Sequence, residues 1–183
     1  LQLKISEPIK SCDQTTYKIV KSPSYKEFKD SELAKKFELI KILMSYVEGF
    51  WIPNERLGPI LQSTKENNQT GGENCRPHVD CFQPSAKGFI YLSDVDENSN
   101  PFTYLPKTNR RDSGRTLIEE LGHRSKTKTK GSWRSDDLNL HFKEHFKCLG
   151  LKGTLVVANV SGFHYRYPSF GNYKFRDILY FAG

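Results

Sequence analysis

No stretch of the 183 residues approaches the roughly 18 consecutive apolar residues that cross a bilayer as a helix, which argues against a membrane-spanning helix. The opening residues Leu1-Gln2-Leu3-Lys4 lack the apolar block of a signal peptide, and a chain that starts on Leu rather than Met is expected to be trimmed at that end. Cysteine is sparse as well. Cys12, Cys75, Cys81 and Cys148 form no C-x-x-C pair and are too few for a disulfide scaffold, so reduced thiols and a cytoplasmic location are expected.

What the chain does hold is enough for a core. Hydrophobic residues make up 36%, Phe, Tyr and Trp 13% and charged residues 27%, a composition that excludes wholesale disorder and fits one domain over 1–183. The formal charge is +7, with much of the excess between Arg110 and Arg134, including Arg124, Lys126, Lys128, Lys130 and Arg134. Such an excess suits nucleic acid, a phosphorylated metabolite or a solubilising surface, and its sign alone does not choose.

Residues 1–30 are polar, broken by Pro8 and Pro23, and read as an irregular lead-in with a short β-like run at Tyr17–Val20. From Ser31 to about Trp51, Leu33, Phe37, Ile40, Leu43, Met44 and Val47 recur at three- and four-residue spacing behind a capping Ser31. That spacing predicts an amphipathic helix ending near Gly49. Pro59 to Asn74 reads as loop, completing a lead-in over 1–74. Aromatic and β-branched runs at 88–92, 102–105, 154–158 and 177–181 predict strands in a 75–183 core, interrupted by a basic insert at about 110–150. No βαβ alternation occurs, so the expected class is mainly β with flanking helices.

Two motifs compete for a metal. In His78-Val79-Asp80 an extended backbone turns residues 78 and 80 to one side and Val79 to the other, so an imidazole and a carboxylate reach one cation. His164, in Gly162-Phe163-His164-Tyr165, supplies a third ligand, giving the two-histidine, one-carboxylate set of non-haem Fe(II) oxygenases. H-x-D alone arises readily by chance. The second motif, His141-Phe142-Lys143-Glu144-His145, matches the H-x-x-E-H of inverted zinc peptidases. A helix over roughly Asp136–Leu149 would put its two histidines on one face. Alternatively, Leu138, Phe142, Phe146 and Leu149 pack inward and the histidines are polar decoration.

Around the first motif, His78-Val79-Asp80, Lys87 to Val95, Asn100 to Pro106 and Lys152 to Asn159 together resemble the phytanoyl-CoA dioxygenase superfamily, with Arg176 twelve residues after His164. The resemblance covers about residues 75–182. Lys107-Thr108-Asn109 departs from the family's G-S-H, and Arg166 follows the distal histidine.

The resemblance implies a double-stranded β-helix, a cupin-like jelly roll, and a dioxygenase that uses Fe(II), 2-oxoglutarate and O2 to hydroxylate a small molecule, releasing succinate and CO2. His78, Asp80 and His164 would hold the metal, and Arg176 would bind the far carboxylate of 2-oxoglutarate. Tyr91 and Thr103 are further contacts to the co-substrate or else core residues. Arg166 meets an anionic substrate or a solvent-facing acid, and 124–134 is a lid or a solvated loop. A non-catalytic cupin-like binding protein and a nucleic-acid-modifying oxygenase are the alternatives from other classes.

Overall fold

A computed structural model of the chain describes residues 4–5, 9–10, 15–21, 32–50, 60–64, 75–80, 84–110, 143–167 and 176–182. The basic stretch at 124–134, His141 and Cys81 lie outside them. The described part is strand-rich, with one long helix.

In chain order the elements are β1 (Lys4–Ile5), β2 (Ile9–Lys10), β3 (Thr15–Lys21), α1 (Glu32–Glu48), β4 (Ile60–Thr64), β5 (Ala86–Tyr91) and β6 (Phe102–Tyr104). They continue with β7 (Phe146–Lys147), β8 (Leu155–Asn159), β9 (His164–Arg166) and β10 (Arg176–Ala182). The larger sheet has seven antiparallel strands in the order β1-β3-β4-β10-β5-β8, with β2 against β3. The smaller one runs β7-β6-β9. No described helix is long and apolar enough to cross a membrane.

The register explains the two faces. β5 pairs Phe89 with Tyr180 of β10 and with Val156 of β8, and successive residues point to opposite sides. Ala86, Ile90, Leu155, Val157, Leu179 and Phe181 therefore share the face that packs on Ile40 and Met44 of α1. Phe37 meets Phe181 edge-on at 5.0 Å. The helix stops where expected, with Gly49 at φ +77° and its N–H on the Ser45 carbonyl at 2.9 Å. Glu48, buried at the helix end, accepts the Ala86 N–H at 2.8 Å and fixes the start of β5.

Lys87, Phe89 and Tyr91 fall on the other face, with Ile178 and Tyr180, looking toward the smaller sheet. Phe89 and Phe102 close the gap at 5.1 Å between ring centroids. The turn before β6 holds Asn100 at φ 50°, with its side-chain amide donating to the Tyr167 carbonyl at 2.8 Å.

The β-like run read at Tyr17–Val20 lies within a seven-residue strand, Thr15–Lys21. Three expectations are corrected. Ile60–Thr64 lies within the stretch read as loop and is β4, paired on both sides by β3 and β10. Leu43 of α1 is 38% exposed rather than on the buried face. The helix read over 136–149 fails where it is described: Lys143–His145 is irregular and Phe146–Lys147 is β7. Phe146 and Leu149, read as packing inward, are 63% and 44% exposed. Their helical spacing was incidental to a strand whose backbone pairs with Thr103 and Tyr104.

Candidate metal centre

His78 and His164 are brought together by the backbone. Each donates its N–H to the other's carbonyl, at 2.9 and 3.0 Å, as an isolated antiparallel bridge. Two residues on, the Asp80 N–H donates to the Val160 carbonyl at 3.1 Å. Val79, between the ligands, points away into a cluster with Leu105, Phe163 and Tyr165, as alternation requires.

The side chains converge. One ligand atom from each of His78, Asp80 and His164 lies within 4.8 Å of the other two, and this is the one such group of three or more among the described residues. His78 Nε2 is 3.7 Å from Asp80 Oδ1, His164 Nε2 is 3.6 Å from Oδ2, and the imidazole centroids are 4.5 Å apart. His78 Nδ1 sits 2.8 Å from the Arg76 carbonyl and His164 Nδ1 2.9 Å from the Gly162 carbonyl. A carbonyl only accepts, so in each ring Nδ1 carries a proton, and Nε2 is the nitrogen turned toward the carboxylate. That donor set suits a first-row metal of the facial-triad kind.

Electrostatics agree with ligand duty. Burial, followed by the facing His164, pushes His78 down to about 4, so its imidazole is neutral near pH 7. Burial by itself would raise the Asp80 carboxyl. The facing His164 ring and the Lys87 ammonium more than reverse this and hold it well below the usual carboxylate range.

Beside the triad is a cavity of ≈ 160 Å³ bordered by His78, Lys87, His164, Arg166, Arg176 and Tyr180, with apolar walls from Phe89, Phe102 and Ile178. Its size suits a small ligand, being below the roughly 300–1,000 Å³ of drug-sized sites. Arg166 and Arg176 are 6% and 7% exposed and open into it. Arg166 follows His164 by two residues on β9 and shares its face. Arg176 begins β10, on the same face as Ile178 and Tyr180.

Tyr91 and Thr103 are deeply buried and do not border this cavity. The Tyr91 hydroxyl donates to the Cys148 carbonyl at 2.6 Å, and Thr103 Oγ1 donates to the Pro101 carbonyl at 3.3 Å. Tyr91 interacts electrostatically with Arg176, which partly offsets the upward push of burial on the phenol. Of the competing motif, Glu144 is exposed and His145 Nδ1 lies 2.8 Å from the Tyr165 hydroxyl. Neither residue belongs to the metal-ligating group. Cys75 is a free thiol outside that group.

Two residues escaped the sequence reading. Thr108, fully buried within the segment that departs from G-S-H, accepts the Phe163 N–H on Oγ1 at 2.7 Å and donates to the Leu105 carbonyl at 2.7 Å. It fixes the backbone immediately before His164. Lys87, on β5, places its ammonium on Asp80 Oδ2, with its Nζ 5.5 Å from the Tyr180 ring centroid. Burial by itself would lower the Lys87 ammonium, but Tyr180 and Asp80 raise it. Only alternation along β5, which puts residues 87, 89 and 91 on the inner face, hinted at this lysine.

No protein-family model matches the sequence, and neither does any curated protein. Solved structures do. HygX from Streptomyces hygroscopicus, with nickel and 2-oxoglutarate bound, aligns at a TM-score of 0.53 and 13% identity over 96% of this chain and 72% of that one. With hygromycin B also bound, HygX gives 0.52 and 13% over 98% and 72%. SnoN, a non-heme alpha ketoglutarate dependent epimerase from nogalamycin biosynthesis, gives 0.53 and 11% over 96% and 66%. The chain shares their fold.

Proposed function

We propose that the chain is a non-haem Fe(II)- and 2-oxoglutarate-dependent oxygenase with a double-stranded β-helix core, acting as a single domain on a small molecule. One observation carries this reading. Two imidazoles and a carboxylate meet at one side of a small cavity into which two buried guanidinium groups also open. Fe(II) at such a triad supplies oxidation of the substrate by O2, with 2-oxoglutarate as co-substrate and succinate and CO2 as products.

The chain's own residues divide the work. His78 and His164 offer Nε2 lone pairs because their Nδ1 protons are committed to backbone carbonyls. Asp80 offers the negative charge. Arg176 gives the far carboxylate of 2-oxoglutarate a planar pair of donors in a buried place, where an unpaired carboxylate would be costly. Arg166, on the same face as His164, then meets an acidic group of the substrate. Phe89, Phe102 and Ile178 limit water around the reacting atoms.

The fold neighbours include an epimerase and a protein that holds hygromycin B. Hydroxylation is the outcome proposed here. A product carrying one added oxygen supports it, whereas a product of unchanged mass with an inverted centre points to epimerisation.

The co-substrate assignment is tested by calorimetric titration of 2-oxoglutarate into Mn(II)-loaded protein. Binding should require Mn(II), weaken at least about tenfold in Arg176→Leu, a loss of about 1.4 kcal/mol, and stay within about twofold of wild type in Arg166→Leu. Loss in Arg166→Leu alone would exchange the two roles. No binding to the wild-type metal form would remove 2-oxoglutarate from the reading.

A further inference from the structure

The Asp80 carboxylate has two oxygens, and the chain treats them differently. Each oxygen faces one imidazole, Oδ1 at 3.7 Å from His78 Nε2 and Oδ2 at 3.6 Å from His164 Nε2, but Oδ2 is the one that takes the Lys87 ammonium. Lys87 is well placed to hold that position. It projects from the inner face of β5, where its backbone pairs with Ala182 of β10 and Ala158 of β8. Tyr180, two residues from Ala182 on β10, steadies the ammonium through a hydrogen bond and its ring. The Lys87 side chain is 24% exposed and that of Asp80 27%, so solvent screens the pair only in part.

We propose that Lys87 is a positioning residue for the metal centre: by occupying Oδ2 it makes Asp80 present Oδ1 alone to the metal. The inference rests on the metal reading above. A two-histidine, one-carboxylate set leaves three positions open only when the carboxylate binds through one oxygen. A carboxylate free to bind through both would consume a position that the co-substrates need. Lys87 thus protects reactivity rather than metal affinity, and it is a cation that neither His78-x-Asp80 nor Arg176 brings to the site.

The test counts exchangeable water on bound Mn(II) through the proton relaxation rate of the solvent. It compares wild type, Lys87→Met and Lys87→Arg, each with circular dichroism and a Mn(II) titration alongside. Lys87→Met should bind Mn(II) at least as tightly as wild type. Its bound-metal relaxivity should be lower by about a third, corresponding to one of three open positions, with most of the remainder lost when 2-oxoglutarate is added. Lys87→Arg should restore the wild-type values. Equal relaxivity in wild type and Lys87→Met overturns the proposal. Loss of Mn(II) binding in a folded Lys87→Met also overturns it, because Lys87 would then be needed to hold the metal. If Lys87→Met does not fold, Lys87→Gln is read by the same outcomes. Wild-type protein that binds Mn(II) but not 2-oxoglutarate defeats the functional reading and leaves the Mn(II)-only comparison to decide Lys87. Wild-type protein that binds no Mn(II) defeats both.

Discussion

Thr108 Oγ1 accepts the backbone N–H of Phe163 at 2.7 Å, in a fully buried position one residue before the distal histidine. The same hydroxyl donates to Leu105, and Leu105 N–H donates to the Phe163 carbonyl at 3.0 Å. A closed set of three hydrogen bonds thus presents His164 from behind. Thr108→Val keeps the shape and removes the acceptor, stranding a buried N–H at a cost of about 1–3 kcal/mol. Chemical denaturation should show a loss in that range and Mn(II) titration a weaker metal site. Unchanged values in both would mean that the backbone near His164 is held by other contacts.

Gly162 is required by proximity. A Cβ there would overlap the Tyr104 hydroxyl and the ring carbon Cζ, and Tyr104 pairs with His164 across β6 and β9. Gly162→Ala should cost about 1–3 kcal/mol, typical of overpacking, and Tyr104→Phe in the same chain should return part of it. If the single variant melts as wild type does, the approach of Tyr104 to the backbone is looser than described.

The His78 imidazole gives the metal-free protein a pH signature. Its folded value of about 4 lies below the ordinary 6.5, so between those two the unfolded chain binds the extra proton. This stability is fully present above about 6.5 and is lost as pH falls toward 4. A gap of this size corresponds to roughly 3 kcal/mol over the window. Melts with chelator present should show Tm falling from pH 7.5 to 5 in wild type and a shallower fall in His78→Gln. Parallel slopes would contradict a buried, neutral His78.

The site was legible in the sequence as far as short-range geometry carries. His78 and Asp80 share a face because alternate residues of an extended backbone do, and Val79 is buried for the same reason. Arg166 and Arg176 both reach the cavity by that alternation. Helix α1 was legible from its spacing and from Gly49. Toward the edge of the larger sheet only part was: the run at Tyr17–Val20 marked β3, whereas β4 is set by ladders to β3 and β10, strands far away in the chain, which polar residues such as Gln62 and Ser63 do not announce. Segment 143–149 misled for the opposite reason, since Phe146 and Leu149 mimic a helical stripe yet face solvent. Lys87 and Thr108 act through contacts 7 and 55 residues away, to Asp80 and Phe163. Neither contact follows from a local pattern.

The proposed oxygenase function requires the triad to turn over 2-oxoglutarate. Purified protein with Fe(II), ascorbate, O2 and 2-oxoglutarate, offered a panel of small acidic substrates, is assayed for succinate beside Asp80→Ala and His164→Ala. Wild type should form succinate well above both variants, with the rate raised by at least one substrate. Succinate at the same background rate in all three proteins across the panel would contradict the account.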